Sequence, residues 1–197
     1  MPATQLACLT VVSAAAHNGG VHPLLDQTRE LLAAPLASCS AEQVGRHPGG
    51  DPARWSAQQV IEHLSATWRS TANGIEDRLK KGRPLKTRPT LRQRCMQLAV
   101  CEYGFLPKRR TAPAAVQPGE ANGEPVSGDE LIARFSATLA AMDRTLSRIE
   151  PQSKGAPVLT HFLLGPLNVR QWRRFHRVHA RHHVAQIERA IRGEALR

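Results

Sequence analysis

Long uninterrupted apolar runs are missing from this chain. Arg, Glu and Gln break every hydrophobic stretch before it reaches the roughly 18 residues of a membrane-spanning helix. Cysteine is sparse: the four stand at positions 8, 39, 95 and 101 and form no CxxC pair. That argues against a disulfide scaffold and a cysteine zinc site, and reduced thiols in a cytoplasmic protein are the plain reading. Cys95 and Cys101 are too far apart to share one helical turn and are expected to be inert core positions. Aromatic residues make up 4% of the chain, and no strand-like alternation of apolar and polar residues appears. Acidic residues are outnumbered, 16 Asp and Glu against 27 Lys and Arg, for a formal charge of +11. Basic charge attracts nucleic acid and acidic membranes. However, the peaks at RLKKGRPLKTR and PKRR come without zinc-finger spacing, aromatic interleaving or a glycine-rich RNA-binding pattern. Solvated Arg-rich faces are therefore favoured over a nucleic-acid function.

Apolar residues still account for 41% of 197 positions, enough for one core without staples. The opening MPATQLACLTVVSAAAHNGG lacks the basic residues of a secretory leader. It reads as a flexible or partly helical lead-in over residues 1–20, before a folded domain over 21–194. Periodicity near 3.6 dominates the rest and predicts an all-α protein. A first helix is expected over 23–43, with Leu24, Leu25, Thr28, Leu31 and Leu32 on one side and Pro35 kinking or dividing it. A breaker cluster, GRHPGGDPAR, follows. Ser56 and Gln59 then form a capping-box pair, with Trp55 placed to pack toward Val60. Behind them Val60, Ile61, Leu64, Trp68, Thr71, Ile75 and Leu79 make an inward stripe that Gly82 and Pro84 end.

A shorter helix is expected over 90–102, with Leu91, Met96, Leu98 and Val100 as its apolar residues. Residues 103–127 hold four prolines and three glycines, so they predict a partly ordered loop across one end of the domain. Ser127 and Glu130 repeat the capping signature ahead of Leu131, Phe135, Leu139, Met142, Leu146 and Ile149, with Pro151 expected to end that helix. Asn168 and Gln171 open the last helix, where Trp172, Phe175, Ile187 and Ala190 point inward. Four long helices, a short extra one and a long Pro/Gly-containing loop make a four-helix bundle.

The last helix carries FHRVHARHHVAQIE. On an ideal wheel with Trp172 at zero, His179 falls near about −20°, His183 near about +20° and His176 near about +40°, while His182 lies on the flank near about −80°. His179 and His183, at i and i+4, stack on one face in the middle of an apolar stripe, where an imidazole is costly unless its nitrogens are satisfied. Such a pair can converge on one divalent ion, or arise on a His-rich surface; spacing alone leaves both open. A third ligand must come from another helix. His63 is the leading choice, because Thr67, Ser70 and Gly74 on its side are small enough to leave a cavity. Three histidines and an exchangeable position suit zinc or nickel. Glu62 points elsewhere.

WSAQQVIEHL and HFLLGPLNVRQWRRFHRVHARHHVAQI resemble the DinB-like superfamily of four-helix bundles, and more closely its DUF1569 branch. The resemblance spans about residues 20–192; Leu163 stands where members often carry proline. It implies a divalent metal held by the matching His63, His179 and His183, and a homodimer. Some relatives transfer low-molecular-weight thiols or isomerise thiol conjugates, while the branch itself carries no established activity. Two reaction classes follow, thiol transfer to an electrophile and metal-assisted hydrolysis. His176 is a candidate for orienting a ligand or for acid/base work, against simple packing. His161 either reaches the mouth of the site or holds the turn that follows it. Lys108, Arg109 and Arg110 would draw in an anionic substrate or be plain solvated charge. A metal-free interaction bundle is the competing class.

Overall fold

The computed structural model describes residues 20–82, 85, 87–107, 112–118 and 124–194. The lead-in expected over 1–20 lies outside them except for Gly20, and so do Pro84, Lys108, Arg109 and Arg110.

Helix α1 (Pro23–Leu36) starts with proline in its first turn, and His22 Nδ1 accepts from the Leu24 N–H at 3.2 Å. The single helix expected to reach residue 43 is in fact two. Pro35 withholds the N–H that would bond the Leu31 carbonyl, and α1 stops one residue later. Ser38 then takes a positive φ of 60° and Ser40 caps the separate turn α2 (Ala41–Gly45). Leu25, Thr28, Leu32 and Leu36 are buried, whereas Leu24 and Leu31 are only half-buried.

Helix α3 (Ala57–Lys81) has the expected complete capping box, and Gly82 ends it in the left-handed region. Its predicted stripe is buried from Val60 to Ile75, with Leu79 partly so. Helix α4 (Leu91–Gln97) runs on into a π-helical turn at Leu98–Glu102. Three side chains of this stretch face solvent where the sequence predicts apolar contacts or core. Leu91 is 79% exposed and Leu98 51%, and Cys95 is exposed instead of lying in the core. The wider turn shifts the facing of everything after Gln97, and Gln97 itself turns inward. Its amide donates to the carbonyls of Leu164 at 2.8 Å and Pro166 at 3.0 Å.

Helix α5 (Gly128–Ser153) buries all six predicted apolar positions. Only half of its capping box forms: Ser127 Oγ accepts from the Glu130 N–H, while the Glu130 carboxylate turns to Arg134. Pro151 does not stop the helix. It sits exposed in the last turn, where one lost hydrogen bond is cheap, and Lys154 ends the helix at φ 47°.

A small antiparallel ribbon, β1 (Leu159–His161) with β2 (Gly165–Leu167), was not foreseen. It has too few residues to show a period. Helix α6 (Val169–Arg192) follows, opened by the Asn168–Gln171 capping box and closed by Gly193.

The long helices form a closed ring in which α1 packs on α5, α5 on α3, α3 on α6 and α6 on α1. The all-α bundle is thus as expected, with the ribbon added to it. A buried ion pair ties the ring together. Arg173 on α6, 3% exposed, meets Asp143 at 3.3 Å and Glu150 at 2.5 Å on α5, and Asp143 Oδ2 also accepts the His22 N–H ahead of α1. Among the described residues no helix is long and apolar enough to cross a membrane.

Candidate metal centre

The capping boxes of α3 and α6 set the start of each helix, and with it the rotation of every later side chain. Two turns into α3 that places His63 toward α6, and three turns into α6 it places His179 and His183 toward α3. His63 is 4% exposed and His183 9%, with His179 half-buried between them. The Nε2 atoms converge: His63 to His179 is 3.3 Å and His183 to His179 is 3.2 Å. One ligand atom from each of the three lies within 4.8 Å of the others, so the group could hold a metal ion.

The outer nitrogens decide what the inner ones offer. His63 Nδ1 donates to the Val116 carbonyl at 2.7 Å, and His183 Nδ1 donates to Gln186 Oε1 at 2.9 Å. Each ring therefore carries its proton on Nδ1 and a lone pair on Nε2. Nδ1 of His179 is buried without a hydrogen-bond partner among the described residues. With its proton there, three lone pairs face one another. With its proton on Nε2, it satisfies one neighbour and leaves the other unpaired. No arrangement of protons on neutral rings completes this cluster.

Protonating the rings is no remedy. Burial pushes the His183 pKa down to about 4, against some support from Gln186, with repulsion from His63 and His182 adding to the fall. His179 is held well below its ordinary value by burial and then by its neighbours, and His63 is lowered by burial, partly offset by its bond to Val116. A divalent cation resolves the conflict by taking three lone pairs at once. Nitrogen ligands at about 2.0–2.1 Å in a tetrahedral site stand roughly 3.3–3.4 Å apart, close to the spacings of His179 from His63 and from His183. The residues present fit a metal.

The three rings open onto a cavity of about 710 Å³. Thr67 and Ser70 line it as expected, but Gly74 does not: the Leu159 side chain packs where a β-carbon would stand, 3.0 Å from that position. Its small size admits the ribbon. Trp55, expected to lean on Val60, has its ring 5.1 Å from that of His63. The long loop does reach the site, since the 3₁₀ turn Ala114–Val116 supplies the carbonyl that holds His63. Glu62 stays outside the cluster, bonded by Gln58 Nε2 at 3.0 Å.

His161 lines the cavity and also accepts the N–H groups of Leu163 and Leu164, so both expected roles are present. His176 is fully buried beside Trp68 and Trp172, its Nε2 3.1 Å from Thr71 Oγ1. His182 lies exposed on the flank, at the cavity edge. Two participants went unnoticed in the sequence. Gln186 was findable, because it lies three residues after His183 on the same helical face. The Val116 carbonyl carried no local signal.

Neither a curated protein nor a solved structure matches this chain. A family model described as DinB superfamily matches residues 24–187, which runs from the start of α1 into α6 and includes all three histidines. With that match over most of its length and the bundle it folds into, the chain belongs to the DinB superfamily.

Proposed function

We propose that this protein is a metal-dependent transferase of low-molecular-weight thiols, of the DUF1569 branch, with zinc or nickel held by His63, His179 and His183. The observation that carries the metal is the convergence of Nε2 lone pairs that no protonation pattern satisfies. A divalent ion there would lower the pKa of a thiol or a water and so supply a nucleophile near neutral pH.

The protein's own groups favour a thiol over water. Among the described residues lining the cavity there is no Asp or Glu, the kind of base that HExxH zinc peptidases place beside their metal. A thiol, with its lower intrinsic pKa, needs none. Val116 and Gln186 hold the outer nitrogens of His63 and His183, and thereby hold the rings' aim. Trp172 and Phe175 form an apolar wall that keeps water from the reacting atoms. His176 acts as a positioning residue in this reading. It does not line the cavity, and burial together with repulsion from His161 pushes its pKa to about 3. Proton exchange with a substrate is therefore assigned elsewhere. A homodimer belongs to the same reading, and light scattering reads it directly.

The test is elemental analysis of untagged protein, wild type against His179→Ala, paired with conjugation of a small thiol to monochlorobimane with and without chelator. We expect about one ion per chain in the wild type, none in the variant, and chelator-sensitive conjugation. Equal metal content in the two proteins removes the centre. A metal-loaded protein that conjugates no thiol removes the transferase and leaves the centre.

A further inference from the structure

His161 differs from the other ring systems of the site. Its Nδ1 accepts two backbone N–H groups, from Leu163 and Leu164, each at 3.1 Å. An amide N–H only donates, so Nδ1 carries a lone pair, and a neutral ring must bear its single proton on Nε2. Burial keeps the ring neutral, lowering its pKa to about 4. Rotation is blocked as well. The ring centroid is 4.5 Å from Phe175, 4.6 Å from Phe162 and 5.7 Å from Trp172.

The Nε2–H has no partner among the described residues, and it is not one of the nitrogens sealed away from solvent. His161 lines the cavity. The result is a donor fixed in tautomer and direction, facing open space between aromatic walls.

Its surroundings select the kind of acceptor. Leu159, Leu163, Trp172 and Phe175 line the cavity around it. Arg189, one of the two arginines in the lining, stands about 21 Å beyond Phe175 along α6, and Arg54, the other, is paired with Asp51. Among the described side chains, a carboxylate seated beside His161 would find no free cation to replace its lost water, at high cost. A carbonyl loses little and gains one hydrogen bond.

We propose that His161 and this aromatic wall form the binding subsite for an apolar group bearing a carbonyl oxygen, with the Nε2–H donating to that oxygen. In the transferase reading, on which its role in turnover rests, this group belongs to the electrophile. The fixed N–H would polarise the carbonyl while the imidazole stays neutral. The subsite itself is independent of the metal.

The experiment uses full-length protein, with and without zinc, and two matched probes, 4-phenyl-2-butanone and butylbenzene. The variant is His161→Asn, whose side-chain oxygen stands near the position of Nδ1 and still accepts the turn's N–H groups, while its amide N–H2 is set back from the position and direction of the Nε2–H. Binding is followed by tryptophan fluorescence. We expect the ketone to bind about two- to tenfold more weakly to the variant, the worth of one hydrogen bond, with butylbenzene unchanged. Nitrogen-15 spectra of the wild type should show the Nε2–H tautomer, with its proton resonance moving as ketone is added.

An unchanged ketone-to-hydrocarbon ratio in a folded variant overturns the proposal. So does a proton on Nδ1, or saturation by ketone without movement of the Nε2–H resonance. Failure of both probes to bind overturns it too. Should the variant fail to fold, the wild-type spectra decide alone. A protein that takes up no zinc yet passes these tests loses the metal centre and keeps the subsite.

Discussion

Gln186 offers the sharpest quantitative test of how the three rings are held. Its Oε1 accepts the His183 Nδ1–H at 2.9 Å, which leaves the Nε2 lone pair 3.2 Å from His179 Nε2. Gln186→Leu keeps the volume and removes the acceptor. The His183 ring is then free to place its proton on either nitrogen and to rotate, and each wrong state is unable to ligate. Outer partners of metal-bound histidines are typically worth 10- to 100-fold in affinity, or about 1.4–2.7 kcal/mol. Gln186→Glu retains an acceptor and should bind as tightly as wild type or more so.

Competition for zinc against a chromophoric chelator at pH 7.5 measures all three proteins, and helix content by circular dichroism confirms that each is folded. The expected order is Glu at least equal to Gln, with Leu weaker by one to two decades. His179→Ala lies below the range of the assay. A Leu variant within twofold of wild type, alongside an empty His179→Ala protein, would refute the claim that Gln186 sets the tautomer.

Further expectations concern the frame and the buried rings. Asp143→Ala should destabilise by about 3–5 kcal/mol in urea unfolding, because Arg173 stays buried with one carboxylate partner fewer. The double change Asp143→Leu with Arg173→Met should cost much less. Gly128→Ala should cost about 3 kcal/mol or more, since the new β-carbon would stand 1.9 Å from the Leu36 carbonyl oxygen, a backbone atom with little freedom. Metal-free protein should lose stability as the pH falls. His161 and His176 titrate near 4 and 3 when folded but near 6.5 when unfolded, so below about 6.5 the unfolded chain binds more protons. Urea midpoints should be level above neutrality and fall from pH 6.5 toward 4; a flat profile would contradict the burial of these rings. A thiol reagent at pH 7.5 should label exposed Cys95 well before buried Cys101, whose thiol burial pushes up to about 11.

The parts of this molecule that were legible in sequence share one physical property: they are set within a few residues. Capping boxes at Ser56 and Asn168, the four apolar stripes and the i, i+4 histidine pair all follow from a 3.6-residue repeat and a local hydrogen bond. Leu98 was misread because a π-helical turn, invisible in residue types, begins there and changes which face looks inward, while the exposure of Leu91 at the first position of α4 has no such cause. The division of α1 from α2 was readable from Pro35, but its place at residues 37–40 was not. The ribbon at 159–167 is held by side chains from other elements, Gln97 among them. No periodicity inside nine residues could have announced it.

The same distinction runs through the candidate site. Its inner shell comes from two helices whose rotations are fixed by their own caps, so His63, His179 and His183 could be paired across 116 and 120 positions of sequence. The atoms that set the tautomers come partly from elsewhere: Val116 of a proline-rich loop for His63, and Leu163 and Leu164 of the ribbon's turn for His161. In each case a backbone carbonyl or N–H chooses which imidazole nitrogen keeps the proton. Backbone groups are common to nearly every residue and leave no signature in composition. Histidine identity therefore announced where chemistry is possible, while the tautomer that decides between ligand and donor had to wait for the fold. Three rings are turned proton-outward or left in conflict, and one is turned proton-inward. That difference separates the metal-binding part of the cavity from the part assigned to a carbonyl.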